Sequence, residues 1–213
     1  MIKKLIPITL CLVLTALVVT GCNFRPKPVT IRTYVIASNV KIPEKLVSKP
    51  YPYILILSPV LGALPFRTQK ILYRSSDVTL GPYLLSRWEF APTHMLMVKM
   101  LDAISNSGLF KGVTYRATGA HGNLYLETTL IDFTQHLSPD GESSTGVISI
   151  MYQLIDGKTR NIISTKKFVI KKPTPAVNAE GAALALNAAS DELCLKLLIW
   201  LKSTLKSISE ASQ

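Results

Sequence analysis

Two spacings of apolar residues divide this chain. A period of two runs from Val29 to Ala37, where Val29, Ile31, Thr33, Val35 and Ala37 would share one strand face. The same period returns from Val147 to Ile155, with Ile148, Ile150, Tyr152 and Leu154 on one side. Between them, Tyr53 to Ser58 carries Ile54-Leu55-Ile56-Leu57, apolar on both faces, as a central strand covered on both sides requires. Lys70 to Ser75 predicts a further short strand, with a turn around Gly81-Pro82. Gly122 to Leu137 predicts a long strand whose apolar phase shifts between Leu130 and Ile131, the mark of a bulge. Asp140-Gly141 opens a polar loop. Asp156-Gly157 signals a hairpin returning into Asn161 to Lys171, so this block reads as an antiparallel meander of about three strands.

Helical spacing appears twice. Met97, Met100, Leu101 and Ile104 recur at the helical period after Pro92, which suits a first helical position, and before Gly108, a left-handed stop. Pro173 and Pro175 end the sheet, and Asn178 to Ile208 predicts a long helix. Its Leu186, Leu193, Leu197, Trp200, Leu201 and Ile208 fall on one face. The expected fold is α+β: a mixed, largely antiparallel sheet, a mid-chain helix, and a long C-terminal helix packed on one face.

The start of the chain follows neither period. Lys3 and Lys4 precede an apolar run from Leu5 to Val19, 15 residues long. That is short of the roughly 20 needed to span a hydrocarbon core. With Val19-Thr20-Gly21-Cys22 behind it, the run reads as a bacterial lipoprotein signal peptide, cut before Cys22. The cysteine thiol then takes diacylglycerol and the new amino terminus a further acyl chain such as palmitate. At about 0.8 kcal/mol per buried methylene, one chain holds reversibly and several hold stably. Asn23, in place of aspartate, favours the outer membrane over the inner. Residues 1–21 are thus signal, 22–28 the lipidated cysteine and a proline-bearing tether, and 29–210 a single periplasm-facing domain. The six tether residues after Cys22 span only about 20 Å when extended.

Losing the signal removes two lysines and no acid, so the formal charge falls from +11 to +9. A basic exterior suits anionic phospholipid headgroups or an acidic partner. Nucleic acid is an unsuitable partner for an exported chain whose basic residues are scattered rather than clustered. Cys11 leaves with the signal and Cys22 is spent on lipid. Cys194 is then alone in an apolar helical run, no internal disulfide forms, and burial is its expected role.

Catalytic signatures are missing from the sequence: no Walker loop, GxGxxG, HExxH or paired CxxC. Gly141-Glu142-Ser143-Ser144-Thr145-Gly146 fails the nucleophile-elbow spacing and sits in a predicted hairpin loop. His94, His121 and His136 lack a second ligand at metal-binding spacing, and Asp77, Glu127 and Asp132 lie apart, unpaired as acid and base. The chain reads as no enzyme, without cofactor or metal.

The order of parts is what becomes recognisable. A lipobox is followed by Tyr34 in a first strand, then Ile54 to Pro59, Leu64-Pro65, Ile71-Leu72-Tyr73-Arg74 and Trp88-Glu89. A helix, Phe110-Lys111-Gly112-Val113, a meander and a C-terminal helix bearing Trp200 complete it. This resembles the ABC-type transport auxiliary lipoprotein family, which includes the paraquat-inducible lipoprotein C group. The resemblance implies a non-enzymatic accessory of a phospholipid transport system between the bacterial membranes. Its partners would be a mammalian-cell-entry (MCE) domain protein, the associated ABC transporter, and the membrane that holds acylated Cys22, with room for a homo-oligomer. It also gives weight to Leu64 to Trp88, where Arg67, Lys70, Arg74 and Arg87 are candidate contacts to a partner or to lipid headgroups. The alternative is an outer-membrane lipoprotein that binds and regulates cell-wall enzymes, against which the short tether argues.

Overall fold

The computed structural model describes residues 30–37, 40–42, 46–115 and 121–211. The signal, Cys22 and the tether lie outside them. In chain order the elements are β1 (Arg32–Tyr34), β2 (Tyr51–Leu57), β3 (Leu61–Gly62), a 3₁₀ turn (Leu64–Arg67), β4 (Lys70–Ser76), β5 (Thr79–Trp88), α1 (Pro92–Asn106), β6 (Phe110–Tyr115), β7 (Leu124–Leu137), β8 (Ser144–Asp156), β9 (Ile162–Pro173) and α2 (Ala179–Ala211).

The long β7–β8 ladder carries the sheet, pairing antiparallel from Leu124↔Asp156 to Leu137↔Ser144. β9 closes the meander along β8. The other side of β7 is occupied in succession by three parallel strands, β2, β3 and β4. β6 lies parallel outside β2, β5 antiparallel outside β4, and β1 parallel outside β5. The mixed α+β fold, with its mid-chain and C-terminal helices, is the one the apolar pattern implies. Ile31–Gln213 is one compact unit.

Local chemistry explains most boundaries. Pro92 begins α1, and Gly108 follows its end with φ +69°, a conformation that costs glycine little. The phase shift read at Leu130 and Ile131 is a register slip between Leu130↔Ile150 and Asp132↔Ser149. It lets Leu126 and Leu130 before the bulge and Phe133 after it all enter the core. Asn178 starts α2, its Oδ1 accepting from Gly181 N at 2.8 Å. The α2 stripe Leu186, Leu193, Leu197, Trp200 and Leu201 is buried with Ile148, Ile150, Tyr152 and Leu154 of β8. Among the described residues no helix is long and apolar enough to cross a membrane.

Two expectations fail. Val29 to Ala37 is not one strand: among the described residues only Arg32–Tyr34 pairs, and its phase is inverted. Ile31 and Val35 are exposed, while Tyr34 and Ile36 pack on the core. Val35 to Ala37 leave the sheet because α2 takes over their backbone. Asn187 Oδ1 accepts from Ala37 N at 2.7 Å, and Asn187 Nδ2 donates to Val35 O at 2.9 Å. Nor is Gly81-Pro82 a turn. The chain reverses at Asp77-Val78, and both residues lie inside β5. Gly81 gives Tyr73 room, since a Cβ there would stand 2.9 Å from that ring. Pro82 has no outer strand partner among the described residues, where β1 covers only Ser86 to Trp88 of β5.

Candidate functional site

The four sequence-selected cations lie on or just before β4 and β5, and the strands sort them into two groups. Lys70 begins β4 and stands directly opposite Arg87 of β5. Arg67 ends the 3₁₀ turn that feeds β4, and all three are exposed. Phe66, Ile71, Leu72 and Trp88 of this segment are buried, so these apolar residues are core and the cations lie outside them. Among the described residues no carboxylate lies within ion-pair distance of Arg67, Lys70 or Arg87. Arg87 Nε instead donates to Thr33 Oγ1 at 3.4 Å.

Arg74 belongs to a different cluster. It is paired across to His136 of β7, and its Nε lies 3.7 Å from Asp132 Oδ2. His136 Nε2 is 2.9 Å from the same carboxylate oxygen, and Thr134 Oγ1 donates to Asp132 Oδ1 at 2.7 Å. Sequence reading missed this. It treated the carboxylates as belonging to separate elements, whereas Glu127 and Asp132 share β7. It also saw no partner for His136, which Asp132 supplies. The signal that would have found it is the i, i+4 spacing of Asp132 and His136 on one strand, which places both on the same face. Arg74 is therefore charge-compensated, and Arg67, Lys70 and Arg87 are what the strip offers to an anion.

A second polar system runs through the interior. Lys99 of α1 is buried, with Nζ 2.6 Å from Asp191 Oδ1 of α2, and it also donates to Ala37 O. Cys194 is buried beside this pair, and burial pushes its thiol up to about 12. An inert packed thiol is what the sequence led us to expect. Tyr83 Oη donates to Gln135 Oε1 at 2.5 Å, and Gln135 Nε2 donates to Ser144 Oγ at 2.7 Å, which also bonds Thr174. Burial, and then neighbouring Tyr73, raise the Tyr83 phenol above its ordinary value. Ser144 is thus spent on buried packing at the base of the Ser138–Ser143 loop.

Among the described residues an open groove of about 520 Å³ lies between β9 and the last turns of α2. Trp200, Ile208 and the hydroxyls of Ser164, Ser203, Thr204 and Ser207 line it, with no titratable group. His94 lies tilted against Phe90, ring centroids 5.4 Å apart, at the start of α1, and His121 is exposed before β7. Among the described residues no three potential ligands gather around a metal position.

No family model matches the sequence, and no curated protein does. Solved structures do match. A Xanthomonas campestris protein of the family DUF330 superposes with a TM-score of 0.73 at 16% identity, over 85% of this chain and 99% of that one. An uncharacterised protein superposes with 0.61 at 13% identity, over 81% and 99%. At these identities the likeness is one of fold. A lipoprotein from Neisseria meningitidis aligns at a TM-score of 0.29 and 10% identity over 67% of this chain and 98% of that one, too remote to establish a common fold.

Proposed function

We propose that this chain is a bacterial envelope lipoprotein, anchored through acylated Cys22 and facing the periplasm, that serves a phospholipid transport system as a non-enzymatic accessory. The observation that carries the reading is a combination in one chain. The Val19-Thr20-Gly21-Cys22 lipobox precedes a domain whose basic strip, Arg67, Lys70 and Arg87, is left without carboxylate partners among the described residues. The order of parts that resembles the ABC-type transport auxiliary lipoproteins supports an MCE-domain protein and its ABC transporter as partners. Asn23 supports the outer membrane. The spending of Ser144 and Cys194 on packing is consistent with a role in binding rather than chemistry.

The test is a mild-detergent pull-down of the tagged, lipidated protein, with mass spectrometry of co-purifying proteins and phospholipids. Recovery of an MCE-domain protein is expected. Recovery of cell-wall enzymes in its place would replace the transport reading with a regulatory one.

A further inference from the structure

The β4–β5 hairpin exposes apolar side chains that the fold has no use for. The register between these strands slips from Leu72↔Pro82 to Lys70↔Arg87, so five steps along β5 match two along β4. The surplus residues bulge outward and present Leu84 at 84% and Leu85 at 57% exposure. At the hairpin tip Val78 is 94% exposed. Soluble surfaces tolerate single exposed leucines, whereas a row of them on one strand and its tip marks a contact.

The chain's own route says what the contact is. β1 runs parallel to β5 with Arg32↔Ser86, so Ile31, also exposed, arrives beside Leu85, coming from the direction of the tip. Only eight residue steps separate Thr30 from Cys22, a maximum reach of about 28 Å. From Leu85 to the level of Val78 the strand covers about 23 Å or less. The tether is therefore long enough for the bilayer that holds Cys22 to meet the hairpin tip. The opposite end of the domain is out of reach. Arg32 Nη1 lies 3.6 Å from Glu180 at the start of α2, and from Glu180 to Thr204 the helix runs about 36 Å.

We infer that the β4–β5 hairpin seats the domain on the phospholipid surface that holds Cys22, with Val78, Leu84, Leu85 and Ile31 entering the acyl boundary. Arg87 and Lys70 meet headgroup phosphates behind them. The outer edge of β5 from Thr79 to Leu85, without a strand partner among the described residues, stays at headgroup depth, where water and phosphate satisfy its backbone, since hydrocarbon would not. Two acids border this surface, Asp77 at the tip and Glu180 against Arg32, and both stay at the wet level with the backbone. The inference rests on the anchored reading above. It adds a fixed orientation, with the groove at Trp200 and Ile208 held away from the membrane.

The test uses the full lipidated protein in vesicles of phosphatidylethanolamine and phosphatidylglycerol. An environment-sensitive fluorophore is placed on Val78→Cys, Leu84→Cys or Leu85→Cys, one at a time. Ile199→Cys, at a site 64% exposed and equally apolar but about 28 Å along α2 from Glu180, is the control. Cys194 is buried and Cys22 acylated, so one site labels. Doxyl-labelled lipid is expected to quench the three hairpin labels at least two-fold more than the control. Hairpin labels quenched no more than Ile199→Cys overturn the inference. So do hairpin labels shielded from aqueous iodide but untouched by doxyl lipid, which would mean a protein or a second copy covers the hairpin. Intact mass of the Cys22 peptide separates the two levels. A lipidated Cys22 with unquenched hairpin labels defeats the seating alone, and an unmodified Cys22 defeats the anchored reading with it.

Discussion

Lys99 of α1 and Asp191 of α2 meet at 2.6 Å, with the lysine side chain 1% exposed and the aspartate partly open to solvent. The lysine donates to Ala37 O as well, and Asn187 of α2 holds the neighbouring backbone. The segment that follows β1 is therefore tied to both helices at once.

Lys99→Met should loosen that joint. Breaking a fully buried pair costs about 3–5 kcal/mol, but Asp191 keeps access to water, so about 1–3 kcal/mol is expected. The urea midpoint should fall with an unchanged slope, and the Ala37 amide should exchange faster with deuterium. An unchanged midpoint would mean the pair contributes nothing net.

Cys194 predicts an alkaline weakness. Its thiol is held near 12 in the folded state against an ordinary 9.0, chiefly by burial. The raised value means that the unfolded chain gives up this proton first. Stability is then complete below about pH 9 and declines as pH rises toward 12, at up to about 1.4 kcal/mol per unit. Tyr152, also raised by burial, acts in the same direction. Cys194→Ala should flatten the loss of stability between pH 9 and 11 in equilibrium unfolding. In the native wild type, the thiol should stay unreactive to a disulfide reagent at pH 8 until denaturant is added.

How legible all this was from the sequence depended on range. The bulge after Leu130, the Pro92 start and the Gly108 stop are local events, and each leaves a local trace. β1 was misread because alternation says which residues share a face and not which face is buried. Ile31 and Val35 look like core, yet Tyr34 and Ile36 are taken instead. Gly81-Pro82 has turn chemistry, but its strand setting depends on Tyr73 and on the shortness of β1. Lys99 lies within a helical apolar stripe, and nothing near it announces Asp191, 92 positions away. Of the candidate strip, the cations were visible. Their division into compensated Arg74 and uncompensated Lys70 and Arg87 needed the pairing of strands.

Helix and sheet approach closely at Gly146 and Ala185. A Cβ on Gly146 of β8 would stand 2.9 Å from the Ala185 side chain, which has no flexible end to yield. Gly146→Val should therefore push the N-terminal half of α2 outward and cost about 1–3 kcal/mol, the usual penalty of overpacking. Thermal unfolding would register it as a lower midpoint. A midpoint within 1 °C of wild type would show that α2 shifts without strain.

Lys70 and Arg87 stand opposite one another, a like-charge cross-strand pair of the kind that weakens a sheet. A fold selected for stability alone would place a carboxylate at one of the two positions. Lys70→Glu does so, and it should raise stability by about 0.2–1 kcal/mol, the range of an opposite-charge cross-strand pair. If the strip meets an anionic surface, the same change should weaken adhesion of the domain to phosphatidylglycerol vesicles. The loss should shrink as salt screens both forms. The informative result is the opposition of the two readouts, because a merely solvated pair would gain stability and lose nothing. Lys206→Glu, on the distal end of α2, should leave adhesion unchanged. Equal adhesion of wild type, Lys70→Glu and Lys206→Glu at low salt would remove the strip from membrane contact.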